Sequence, residues 1–240
     1  MTKIFYVISD IHGHYDSLIT ALKASKYDES NPFHTLIVLG DLFDRGTQSK
    51  EVLDYLYPLS HNGRTYMITG NHDLFVRDLL SGKYDRVQFN IEHNGFQDTL
   101  ESLVGRKLQS DFVIDAISHE IALKYPYLLK WLEGFLPYLE LGDYIFVHGG
   151  VNDTLGDWHL NSLRDLVWSS ELKQKRIEGK TVVAGHHRTA TIRRPAEDYE
   201  LLFRTHPELF DIYYDEGKIM IDGFVEVSHQ INVLILEDIL

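Results

Sequence analysis

Three times in the first eighty residues a short apolar run, β-branched in large part, ends abruptly in a turn carrying side chains that bind cations or phosphate. Ile4 to Ser9 runs into Asp10-Ile11-His12-Gly13-His14. Thr35 to Leu39 runs into Gly40-Asp41-Leu42-Phe43-Asp44-Arg45-Gly46, and Thr65 to Thr69 into Gly70-Asn71-His72-Asp73. Runs of this length and composition read as buried strands. A stretch of helical periodicity follows each turn: Leu18, Ile19 and Leu22, with Asp16 able to cap; Ser49 to Leu56; then Leu74, Val76, Leu79 and Leu80. Strand, polar turn and helix in regular succession predict an α/β fold, whose sites lie at strand carboxyl ends.

The pattern breaks at Tyr84. From there to Leu139 the apolar spacing is helical (Phe96, Leu100, Leu103; Ile114, Ile117, Ile121; Leu128, Leu129, Leu132, Phe135) and no strand–ligand unit occurs. This reads as a helical insertion over the sheet edge, either shaping substrate access or serving as packing bulk. The sheet resumes with Tyr144 to Val147, ending in His148-Gly149-Gly150, and Thr181 to Ala184, ending in Gly185-His186-His187-Arg188. Asn161 to Trp168 reads as a helix, and Thr189 to Phe210 as a long mixed-charge loop. The tail reads as antiparallel strands: Ile212 to Tyr214, a turn at Asp215-Glu216-Gly217-Lys218, Ile219 to Ile221, and Val233 to Leu236. No repeat or low-complexity linker marks a boundary, so residues 1–240 read as a single domain, with 84–139 the helical insertion.

Any one aspartate here could be only a turn cap, and any one histidine only a core or surface residue. Asp10, His12, Asp41, Asn71, His148 and His186 together are harder to dismiss, because each sits just past a buried run. Oxygen and nitrogen donors without sulfur suit Mn²⁺, Fe or Zn²⁺ better than Ca²⁺ or Cu⁺. The absence of cysteine removes disulfides and thiolate sites. A formal charge of −13 repels nucleic-acid backbones and argues against a duplex-binding module. No apolar stretch reaches the roughly 18 residues of a membrane span, and no signal-peptide pattern opens the chain, so a cytoplasmic location is the expectation.

Taken in order, Asp10-x-His12, Gly40-Asp41-x-x-Asp44-Arg45-Gly46, Gly70-Asn71-His72-Asp73, His148-Gly149-Gly150 and Gly185-His186 resemble the motifs of the calcineurin-like metallophosphoesterases. Within that superfamily they resemble the phosphoprotein phosphatases, especially the short bacterial and phage serine/threonine phosphatases. The resemblance implies mixed β-sheets in a sandwich flanked by helices. It implies two divalent ions, Mn²⁺ before Fe or Zn²⁺: one on Asp10, His12 and Asp41, the other on Asp41, Asn71, His148 and His186, with Asp41 bridging. Such a pair clamps phosphate oxygens and acidifies water, so that a metal-activated hydroxide attacks phosphorus. His72 would protonate the leaving group, Asp44 would orient His72, and Arg45 would grip phosphate.

Asn71 and Arg188 are further substrate-binding candidates, with Arg176 an alternative to Arg188, because no arginine follows Trp168 directly. His187 could touch the phosphate; neither it nor His14 is assigned a metal. The implied substrate is a phosphorylated protein or a small phosphoester. The Asn71-His72-Asp73-Leu74 form also resembles the symmetrical diadenosine tetraphosphatases, which tend to lack the aspartate present here as Asp44, whereas the protein phosphatases usually carry Glu where Asp73 stands. A catalytically dead scaffold would be expected to lack a ligand or the acid, and neither is missing.

Overall fold

The computed structural model describes residues 2–169 and 177–239. Two β-sheets face one another with helices outside them. The first sheet has the order β3-β2-β1-β9, from β1 (Ile4–Ile8), β2 (His34–Val38), β3 (Thr65–Met67) and β9 (Leu234–Glu237). The second has the order β4-β5-β6-β8-β7, from β4 (Leu139–Leu141), β5 (Tyr144–Val147), β6 (Thr181–Ala184), β7 (Tyr213–Asp215) and β8 (Lys218–Met220). Strands β1, β2 and β3 run parallel, and so do β5, β6 and β8, while β9, β4 and β7 pair antiparallel. The α/β reading and the sandwich both hold.

Side-chain alternation along the strands builds the layers. Phe5, Val7, Ile37, Leu39 and Ile68 from the first sheet meet Phe146, Val183, Ile219 and Ile221 from the second in a core between the sheets. The opposite faces of the same strands carry Tyr6, Ile8, Leu36, Val38 and Met67, which pack under helices in the largest core. Those helices are α1 (Tyr15–Ala24), α2 (Ser49–Leu59), α3 (Asp73–Leu80), α4 (Tyr84–His93), α5 (Phe96–Val104), α6 (Ile114–Lys124) and α7 (Leu128–Glu133). Outside the second sheet, Val151, Trp158 and Leu166 cover Ile145, Val147 and Val182, and Leu166 belongs to α8 (Leu163–Trp168). No helix among the described residues is long and apolar enough to cross a membrane.

Four features differ from the sequence reading. Thr189 to Phe210 is not a loop: it forms α9 (Thr189–Arg193), α10 (Tyr199–Thr205) and a 3₁₀ turn at Pro207–Phe210. Its buried residues Ala190, Leu202 and Phe210 pack with Phe224, a contact too distant in sequence to be read as periodicity. Helix α1 starts at Tyr15 after His14, so Asp16 lies in its first turn rather than capping it. Helix α8 is shorter than expected because Ser162, through a capping box with Asp165, starts it.

The tail divides. Strands β7 and β8 form the expected hairpin, but β8 also lies parallel to β6, and β9 crosses to the first sheet. The carboxyl end of β8 therefore joins those of β5 and β6. The helical segment packs onto α2 and α3, and its trailing Leu136 bridges Ile68 beside β3.

Phe146 is fully buried between the sheets. Phe146→Ala should cost about 3–5 kcal/mol of unfolding free energy, read as a lower urea midpoint with an unchanged slope.

Candidate active site

Parallel strands present their carboxyl ends on one side of a sheet, and here both sheets contribute. Asp10 and His12 follow β1, Asp41 follows β2, Asn71 and His72 follow β3, His148 follows β5 and His186 follows β6. To turn these side chains inward within one or two residues the backbone enters the left-handed region: Asp10, His12, Asp41, Asp44, Arg45 and His186 have φ between 46° and 73°. Non-glycine residues adopt this at a cost of about 1–2 kcal/mol each, and such strain gathers at functional sites.

What compensates is a set of buried hydrogen bonds between the turns. The Asp73 carboxylate accepts from the amides of Asp41 (3.0 Å), Leu42 (3.0 Å) and Gly70 (2.9 Å), tying the second motif to the third. Only glycine fits at position 40, since a Cβ there would lie 2.2 Å from the Gly70 nitrogen. Asp10 Oδ2 accepts from Ser9 Oγ (2.5 Å) and the His186 amide (2.9 Å), which joins the two sheets.

Asp41 is the centre. Its Oδ2 lies 3.6 Å from His12 Nε2 and 3.4 Å from His148 Nε2, while Oδ1 accepts from the His72 amide at 2.8 Å. Asp10 Oδ1 is 3.9 Å from His12 Nε2, and Asn71 Oδ1 is 2.9 Å from His148 Nε2. Among the described residues, two groups have the spacing to hold an ion: His12, Asp41 and His72, and Asp41, His148 and His186. Asp41 belongs to both. The six residues expected at the metals converge, and His72 joins the first group as well.

The donor chemistry fits cations. His12 Nδ1 donates to the Phe43 carbonyl (2.9 Å) and His148 Nδ1 to the Leu39 carbonyl (2.7 Å). In the neutral ring each Nε2 is then a lone pair facing the cluster, the tautomer a metal ligand requires. The His148 lone pair faces the oxygens of Asp41 and Asn71, so acceptor meets acceptor and positive charge is called for. The electrostatics agree. Burial opposes charge on His148, yet Asp41 and Asp10 outweigh it and push its pKa up to about 10. Burial likewise works against the Asp41 carboxylate, but His148 and His72 hold it well below its usual value. Burial, with Arg45 adding to it, keeps His12 neutral, and burial with His148 lowers His186 to about 3. Burial and the Asp41 charge lift Asp73 to about 7.

Beside this cluster His72 Nδ1 lies 2.6 Å from Asp44 Oδ2. Burial disfavours charge on His72, but Asp41 and Asp44 outweigh it and raise its pKa; burial raises Asp44 too, so the pair retains a proton. Thr99 on α5 accepts from the Asp44 amide (2.8 Å), so the helical segment buttresses the His72–Asp44 pair. Arg45 donates through Nη1 to His12 Nε2 (2.8 Å), and its Nη2 lies 3.2 Å from His72 Nε2. A small polar cavity of about 240 Å³ is lined by Asp10, Asp41, Arg45, His186, His187, Arg188 and Thr191. Larger clefts, of about 610, 490 and 400 Å³, include none of the clustered side chains, so size is no guide here. The His187 ring is held by the Ser169 carbonyl, and His14 by the His12 carbonyl. Arg176 lies outside the described residues.

Four contributors were missed from the sequence: Ser9, Thr99, Asp222 and Glu226. Ser9 adjoins a motif and could have been found; the others depend on folding at long range.

Residues 4–213 match the family described as calcineurin-like phosphoesterase. The chain belongs to that family. It is similar to a symmetrical bis(5'-nucleosyl)-tetraphosphatase of Klebsiella pneumoniae (strain 342), 38% identical over 99 residues, 41% of this chain and 31% of that protein. An asymmetrical bis(5'-nucleosyl)-tetraphosphatase of Bacillus velezensis is 34% identical over 92 residues, 36% of this chain and 37% of that protein. The chain thus spans about a third of the length of these curated relatives. Among solved structures, the cold-active protein-tyrosine phosphatase of a psychrophilic Shewanella superposes with a TM-score of 0.58 at 19% identity, covering 99% of this chain and 76% of that one. That likeness is one of fold.

Folded Asp73 retains a proton that the unfolded chain releases. Its contribution to the stability of chelated protein should therefore fall as pH rises from about 4 to about 7, against the opposite contribution of His12 and His186, and Asp73→Asn should remove that fall. Divalent cation should reverse the fall, adding about 2.7 kcal/mol at a hundred times its Kd. Melting curves at pH 5 and 7.5, with chelator and with Mn²⁺, check both; an equal gain at the two pH values would contradict the assignment. Asp41→Asn should lower metal content at both positions together, measured by elemental analysis.

Proposed function

We propose that the protein is a divalent-metal-dependent phosphoester hydrolase acting on phosphomonoesters of alcohols, with phosphoserine or phosphothreonine in proteins as the substrate class. The observation that carries this reading is the buried His72–Asp44 pair at 2.6 Å, beside Arg45. An alkoxide is a poor leaving group and needs a proton as its bond to phosphorus breaks; a positioned acid contributes about 10²–10⁴-fold. With Nδ1 engaged by Asp44, His72 offers Nε2 as the proton donor, and the carboxylate keeps the ring charged and fixed.

The proposed metal ligands are Asp10, His12, Asp41, Asn71, His148 and His186, and the proposed ion is Mn²⁺, with Fe and Zn²⁺ sharing the same donor preferences. Bound cations supply positive charge toward phosphate oxygens and make water acidic enough to act as the nucleophile near neutral pH. Arg45 and Arg188 are the guanidinium donors proposed for the remaining phosphate oxygens, with Asn71 as a further proposed substrate contact. Burial of the cluster strengthens each of these charges, because little water screens them.

A second reading is favoured by the names of the curated relatives: hydrolysis of a dinucleoside polyphosphate on the same scaffold. Its leaving group is itself a phosphate, which departs without protonation. The acid pair therefore separates the two.

Mn²⁺-loaded protein should release phosphate from a phosphoserine peptide, and His72→Asn should lower that turnover about 10²–10⁴-fold with metal content retained. Cleavage of diadenosine tetraphosphate alone, insensitive to His72→Asn, would establish the second reading. Asp44→Asn should move the alkaline limb of the kcat profile to lower pH. The protonated ring is the active form, and losing the carboxylate lowers the pKa at which it deprotonates.

A further inference from the structure

Strand β8 ends at the same edge as β5 and β6, and the segment after it, Asp222 to Glu226, belongs to no motif. It is built with care. Asp222 is buried and accepts from the Phe224 amide (2.8 Å), and its carbonyl accepts from the Thr189 amide (3.0 Å), one residue beyond Arg188. Phe224 sits in the left-handed region at φ 56° and packs into the cluster of Ala190, Leu202 and Phe210. Its ring lies under the Arg188 guanidinium, with Cζ 3.8 Å from the ring centre. One turn on, at the start of α11 (Val225–Ser228), a single Glu226 oxygen joins two cations: Oε1 accepts from Arg45 Nη1 at 2.7 Å and from Arg188 Nη2 at 2.7 Å. The other oxygen is buried and makes no hydrogen bond, so the whole pairing runs through Oε1.

We propose that Glu226 is a positioning residue that locks Arg45 and Arg188, from opposite sheets, into one phosphate clamp, with Phe224 as the platform that sets the plane of Arg188. This rests on the phosphoester reading and adds the device that aligns its anion grip. Two guanidinium groups repel each other when both are aimed at one place, and a shared carboxylate removes that repulsion. Glu226 takes one nitrogen from each arginine; Arg45 Nη1 also donates to His12 and its Nη2 lies near His72, so the donors offered to a substrate come mainly from Arg188. The clamp keeps a net positive charge, two cations against one anion. Aromatic stacking limits the rotation of Arg188 and so lessens the ordering cost of binding.

The test is equilibrium binding of inorganic phosphate to Mn²⁺-loaded protein by calorimetry, a readout independent of turnover. Glu226→Ala should weaken phosphate about tenfold, and Glu226→Gln, which keeps an acceptor oxygen, should recover part of the loss. Adding Glu226→Ala to Arg188→Ala should weaken binding by much less than it does alone, since the effect acts through the arginines. Metal content and melting temperature confirm that each variant is folded and loaded, and Glu226→Gln serves if the alanine variant is not. Unchanged or tighter phosphate binding in folded Glu226→Ala would overturn the clamp, because the carboxylate would then be a bystander or a competitor. Wild-type protein that binds phosphate with this dependence yet hydrolyses no phosphoester would leave the clamp standing and remove the hydrolase reading instead.

Discussion

Everything in this molecule is arranged around the need to neutralise one buried carboxylate. Asp41 is about 1% exposed, and its Oδ2 lies between the Nε2 atoms of His12 and His148. Desolvating a carboxylate costs several kcal/mol unless positive charge is held close, and here His148 and His72 supply it. The turns that deliver its neighbours are strained, with six non-glycine residues in the left-handed region. They persist because buried polar contacts fix them from behind: Asp73 on three amides, Asp10 on Ser9 and the His186 amide, and Asp44 on Thr99. Such a network is favourable only while every member is satisfied.

The two sheets divide the work. The first supplies Asp10, His12, Asp41, Asn71 and His72, and the second supplies His148, His186 and the segment carrying Asp222 and Glu226. Neither half forms the cluster alone. The apolar contacts of Phe5, Val7 and Ile37 with Phe146, Val183 and Ile219 therefore do more than bury surface. They hold the two sets of donors in register, so a cavity between the sheets would be felt as a change in distance across Asp41. Interiors transmit such shifts because they are close-packed.

The strand-end donors were legible in the sequence because each motif is local: an apolar run stops and a ligand follows within a few residues. The helical segment was legible for the same reason, through its spacing. Glu226 was not, because its importance arises only when β8 pairs parallel with β6, a partner more than thirty residues away, and a hairpin pattern says nothing about the strand's other edge. Thr99 was hidden too; a threonine on a helix becomes an active-site buttress only once α5 packs beside the Asp44 turn. In Thr189 to Phe210 the apolar residues point toward Phe224, and short helices with few buried positions show weak periodicity. Local chemistry is written in the chain, while support for that chemistry is assembled by topology.

Charge explains why support matters so much here. Glu226, Asp41, Asp222 and Asp10 lie close enough to act on the Arg45 guanidinium, and Glu226 is shared with Arg188. The carboxylates outnumber the fixed cations, and a charged His148 meets only part of the excess; bound cations would meet the rest. Without them protons must make up the balance, and burial does push Asp10, Asp73 and Asp222 upward. Cation affinity and proton affinity are thus the same demand met in two ways, so each must oppose the other. In an acidic chain of net charge −13, a site for an anion needs such local neutralisation of its carboxylates.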